Sequence, residues 1–164
     1  MATVTAQLST PRGASMRGRQ PFMHETSIDF GAAATSKGTA LAAADIIQVM
    51  TIPANHAVLD AGMEVTTIHA GTSTDVALDL GVTGVDPDAF VDGFIPDAKA
   101  VGVYSVSAGN GPISAAAADD TLDILIQAMT GTTTAGVLRV YALLMDMDAL
   151  GTVGADEVDR DTLA

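Results

Sequence analysis

The chain has 164 residues, enough for one ordinary domain that buries its core without disulfides or metals. It contains no cysteine, which excludes a disulfide framework, a thiolate zinc site and a cysteine nucleophile. Its 20 acidic against 7 basic residues argue against general nucleic-acid binding, and no apolar run of about 18 residues offers a membrane-spanning helix.

Charge is unevenly placed. Residues 1–21 are rich in Ser, Thr, Gly and Arg and show no periodicity, which predicts a flexible basic arm. Arg12, Arg17 and Arg19 stand in it, with no acid in the first twenty positions and no apolar stretch like that of a secretory signal. The other end carries Asp146, Asp148, Asp156, Glu157, Asp159 and Asp161 against Arg160, so residues 148–164 read as an acidic tail.

Between them, residues 22–147 form a body with period-two patterning. FMHETSIDF places Phe22, His24, Thr26, Ile28 and Phe30 on one face of a half-buried strand. GAAATSKGTALAAAD follows as a loop or a short alanine-rich helix. DIIQVMTI, 45–52, is a second strand closed by Pro53. In 56–70 the alternation puts Ala57, Leu59, Ala61, Met63 and Val65 together, with Gly62 as the expected bulge or bend. TDVALDLGV, 74–82, points Val76, Leu78, Leu80 and Val82 one way.

The stretch DPDAFVDGF then breaks the alternation. Its aspartates Asp86, Asp88 and Asp92 do not follow calcium-loop spacing, because Phe90 falls where an oxygen ligand is needed. A short helix explains them better: Asp86 as N-cap, Pro87 at the first turn, and Phe90, Val91 and Phe94 on one apolar face. Weak calcium binding at the three acids is the alternative. Further strands are read at 100–107, 121–130 and 136–147. The last has two mostly apolar faces, which suits an oligomer, and the charge of Arg139 beside Tyr141. Arg139 is expected to pair across a subunit interface or to extend to solvent.

Seven or eight strands and no long amphipathic helix predict an all-β, jelly-roll-like β-sandwich with one short helix and an extended amino-terminal arm. No nucleophile elbow, zinc-helix motif or phosphate loop occurs. His24, His56 and His69 lack the clustered spacing of a metal site, and Asp119 with Asp120 reads as a solvated turn. No catalytic, cofactor-binding or metal residue is therefore assigned, and no cofactor is expected.

The order of TSIDFGAAA, AAADIIQVMTIPANHAVLDAGMEVTTIHAGTSTDVALDLGV, the DPDAFVDGF insertion and TLDILIQAMTGTTTAGVLRVYALLMDM resembles the small head decoration, or cement, proteins of tailed bacteriophages, over roughly residues 26–147. The resemblance implies a structural protein without enzymatic activity. It implies a homotrimer on the outer surface of the capsid, in the virion, that stabilises contacts between major capsid protein subunits, with neither nucleic acid nor membrane as partner. Arg12, Arg17 and Arg19 are then the capsid-contact candidates. Phe90, Phe94, Arg139 and Tyr141 are the subunit-interface candidates. The alternatives are a carbohydrate-binding jelly roll or fibre tip, and a cupin-type enzyme.

Overall fold

The computed structural model describes residues 3–4, 21–96, 100–111, 113–114 and 118–147. The candidates Arg12, Arg17 and Arg19 and the acidic tail 148–164 lie outside the described residues. The elements are β1 (Thr3–Val4), β2 (Phe22–Asp29), α1 (Phe30–Lys37), β3 (Ile46–Ile52), β4 (His56–Gly71), β5 (Thr74–Val82), β6 (Asp86–Phe94), β7 (Ile113–Ser114), β8 (Asp120–Thr130) and β9 (Thr133–Asp146). Among the described residues no helix is long and apolar enough to cross a membrane.

Two sheets form a sandwich, one ordered β1-β3-β8-β5-β6 and the other β2-β9-β4-β7. The chain passes from sheet to sheet at nearly every connection, with β5–β6 the hairpin that stays in one. Alternation in sequence becomes alternation of faces. In the four-stranded sheet the register stacks Phe22, Leu144 and Val58 in one row, and Ile28, Leu138 and Val65 in another. All six are core residues. Val76, Leu78, Leu80, Leu122, Ile124 and Ile126 face them from the five-stranded sheet, each 0% exposed. Burial of each such side chain contributes about 1.5–3 kcal/mol.

The short helix lies at 30–37. Asp29 caps it by accepting from the Ala32 N–H at 3.0 Å, and Gly38 ends it with φ 78°. Phe30 has left the strand but keeps its place in the core. Lys37 then closes the following loop by an ion pair with buried Asp45.

The expected helix at 86–94 is a strand. Leu78 pairs with Phe94, Leu80 with Val91 and Val82 with Asp86, across a turn in which the Val85 N–H donates to the Val82 carbonyl at 3.0 Å. Capping chemistry at Asp86 and Pro87 is local, whereas the ladder also buries Ala89, Phe90, Val91 and Phe94 in the sandwich. Pro87 is compatible with this because β6 is an edge strand, where one missing donor is tolerated. Phe90 and Phe94, at 3% and 7% exposure, thus fill the chain's own core.

Three other expectations change. The stretch 100–107 is no regular strand. A turn at Gly102, φ 82°, leads into a single bridge between Tyr104 and Glu64. The register shifts of β4 fall between Val58 and Asp60 and again beyond Val65, not at Gly62, so Val58 rather than Leu59 joins the core while Ala61, Met63 and Val65 keep the expected face. Gly62 instead lies under Tyr141: a Cβ there would sit 2.5 Å from the Tyr141 Cζ. Finally, only one face of β9 is fully buried. Leu138, Val140, Ala142 and Leu144 are core, while Val137, Arg139, Tyr141, Leu143 and Met145 are half-buried.

Candidate docking face

The outer face of the four-stranded sheet is built from the same register. One row runs Met23, Leu143, Asp60; the next Glu25, Tyr141, Gly62; the next Ser27, Arg139, Glu64. The third row continues to Tyr104, whose segment runs along the edge of β4 opposite β9, past the stretch that pairs with β7: Ser105 N–H donates to the Met63 carbonyl at 2.7 Å, and the Met63 N–H donates to Ser105 Oγ at 2.9 Å. Among the described residues β9 therefore lies inside the sheet and brings four apolar or aromatic side chains to its outer face.

Arg139 is engaged by side chains of its own sheet and of the segment beside it. Its Nε donates to Glu64 Oε2 at 2.7 Å and its Nη2 reaches the same oxygen. It also donates toward Tyr104 Oη at 3.4 Å, and Glu25 stands 3.8 Å away. Glu64, Tyr104 and Glu25 all favour the charged guanidinium, the Glu64 hydrogen bond most. Tyr104 and Tyr141 meet edge to face, centroids 6.2 Å apart and planes at 62°. Burial, then the charge of Asp60, raises the Tyr141 phenol above its ordinary value, so it stays neutral at physiological pH. The cluster fixes the 100–108 segment on the sheet by one charge-assisted network.

The histidines occupy separate structural positions. His24 is on the inner row of β2, and burial lowers its pKa against the opposing charge of Glu25. His56 Nδ1 lies 3.0 Å from the Ala54 carbonyl, and its ring meets Phe22 edge-on. His69 Nε2 contacts Ser73 Oγ, which lies 3.0 Å from Thr133 Oγ1. There the β4–β5 and β8–β9 turns, two of those that carry the chain between sheets, interlock, with Thr72 and Ser73 N–H groups donating to the Thr132 carbonyl. Among the described residues no three His, Asp or Glu side chains gather as a metal site.

Asp119 accepts the Ala54 N–H at 2.9 Å and Asp120 that of Thr121 at 2.8 Å, so both tie strand ends. Asp86, Asp88 and Asp92 line the edge strand. A hydrogen bond that the protonated Asp86 carboxyl donates to Asp88 raises Asp86 above its ordinary value. Sequence alone did not single out Asp79 and Asp123, which sit on the outer face of the five-stranded sheet at 3% and 4% exposure. Burial raises both carboxyls. The Gly93 N–H pulls Asp79 back, and Thr83 and Thr121 pull Asp123 back.

A carboxyl raised on folding binds its proton more tightly in the native state. Its favourable contribution is complete below the unfolded carboxyl range and fades as pH rises through the raised native value. Asp123→Asn is therefore expected to raise neutral-pH stability by about 1 kcal/mol, or about 2–4 °C in Tm, and to do little in mild acid. Thermal melts of both proteins across pH 3–8 check this; an unchanged or lowered neutral-pH Tm would count against it.

No protein-family model and no curated protein matches the chain. Solved structures do. A chain in the capsid of Ralstonia phage GP4 has 18% identity and a TM-score of 0.58, covering 85% of this chain and 97% of that one. A chain in the cyanophage Pam1 capsid asymmetric unit has 15% identity and a TM-score of 0.53, covering 79% and 86%. The sandwich is thus a fold found in phage capsid structures.

Proposed function

We propose that this chain is a structural decoration protein of a tailed-phage head. It binds the outer surface of the capsid as a homotrimer and stabilises contacts between major capsid protein subunits. The observation that carries the reading is the whole-domain likeness to a chain of a phage capsid, which spans 97% of that chain. The acidic body and the arginines of the arm support it, since a shell protein needs solubility at its outer face and reach at its contact face. In this reading Arg12, Arg17 and Arg19 touch the capsid, and no chemistry is performed.

Tyr104 and Tyr141, side by side on one face, are the observation favouring a carbohydrate-binding module. Their edge-to-face contact, however, makes no continuous flat platform for a sugar ring.

The test is co-sedimentation with capsid shells purified without this protein. The intact chain is expected in the pellet. A variant with Arg12, Arg17 and Arg19 replaced by Ala, which leaves β1 in its sheet, is expected to keep its melting transition yet bind at least about tenfold more weakly. Full binding by this variant removes the role given to the arm. Intact protein left in the supernatant contradicts the decoration reading itself.

A further inference from the structure

The outer face of the four-stranded sheet is unusual for a lone antiparallel sandwich, whose solvent side is ordinarily polar. Here Met23 is 67% exposed and pairs directly with half-buried Leu143. Tyr104, 51% exposed, lies two rows away over Tyr141. Methionines and tyrosines adapt to a partner's contour at little cost.

The charges of this face are not balanced. Arg139 is shared between Glu64 and, at 3.8 Å, Glu25, so one cation faces two carboxylates, with exposed Asp60 a third and the Glu25 side chain 58% exposed beside the apolar row. Lys37 and Arg139 are the basic side chains among the described residues, and Lys37 is committed to Asp45. Among the described residues this face therefore carries carboxylates and apolar groups, with no spare cation.

We infer that this face is a docking surface whose occupant is a protein surface bearing arginine or lysine around an apolar centre. Resting on the decoration reading, the inference assigns that surface to the capsid shell and adds which side of the sandwich meets it. A second copy of the body is disfavoured as occupant, because two such faces would oppose carboxylate to carboxylate. A cationic rim would neutralise Glu25 and Asp60 while its apolar centre covers Met23 and Leu143, as in interfaces with an apolar core and a polar rim.

The double variant Met23→Ser/Glu25→Lys tests this against Asp92→Lys, which makes the same charge change on β6 of the other sheet. Both are first checked for an unchanged melting transition, with Met23→Ser alone as the milder variant if the double one fails to fold. In shell co-sedimentation the face variant is expected to bind about tenfold or more weakly, and Asp92→Lys within about twofold of wild type. Equal binding by the face variant, or equal loss by Asp92→Lys, overturns the assignment while leaving the decoration reading standing. Wild-type protein that fails to bind overturns both. A self-association of the free protein that the face variant abolishes marks a copy-to-copy interface and also overturns it.

Discussion

Gly81→Val is expected to destabilise the protein by about 3 kcal/mol, lowering Tm by roughly 6–12 °C. The cause is steric. The backbone of β6 crosses directly over Gly81, so that a Cβ would lie 2.5 Å from the Pro87 carbonyl carbon and 2.6 Å from its oxygen. Main chain cannot swing away as a side-chain tip can. To admit the valine, the β5–β6 hairpin must open where Val82 pairs with Asp86, and Phe90 and Val91 must leave their places in the core. Denaturant or thermal melts give the answer. A Tm within about 2 °C of wild type would mean that β6 does not close over β5 in this way.

Arg139→Met is expected to destabilise the protein, seen as a lower denaturation midpoint and a lower Tm. Glu64 is 9% exposed, and without the guanidinium its carboxylate stays in the sheet with no countercharge. The loss stays below that of a fully buried pair because the Arg139 side chain is 39% exposed and partly screened by water. Loss of the hydrogen bond to Tyr104 also loosens the 100–108 segment. Glu64→Met/Arg139→Met is expected to recover most of the loss, since it removes the stranded charge together with its partner. A double-mutant cycle measures this directly; equal destabilisation by single and double variants would show that packing, not charge, holds the site.

Most of the sandwich was legible because period-two alternation carries face information through strands buried on one side. Val76, Leu78, Leu80 and Val82, and Leu122, Ile124 and Ile126, needed only that rule, and their burial follows it. The reading failed where a local signal competed with a distant partner. Asp86-Pro87-Asp88 is a good helix start in isolation, yet the ladder with β5 and the core sites for Phe90 and Phe94 outweigh it. The segment 100–107 alternates like a strand, but the turn at Gly102 leaves it one bridge to β4. The bulge between Val58 and Asp60 has no sequence mark, because Gly62, the expected mark, serves a close approach by Tyr141.

The candidate site was half legible. Arg139 and Tyr141 stood out as polar groups on an apolar strand. Their partners Glu64 and Tyr104 did not, because 75 residues separate Glu64 from Arg139 and only the β4–β9 register brings them together. Asp79 and Asp123 were hidden for the same reason. Each reads as the polar half of an alternation, and their burial comes from the neighbouring strands of a sheet that sequence periodicity does not order.

The central claim is that this sandwich sits on the outside of a phage head. A reconstruction of purified virions of the phage encoding this chain, at a resolution that traces strands, tests it most directly. The account predicts three copies of the two-sheet body around symmetry axes on the outer capsid surface, with the β2-β9-β4-β7 sheet toward the shell. Virions whose outer surface lacks this density, with the chain absent from their protein content, would contradict it.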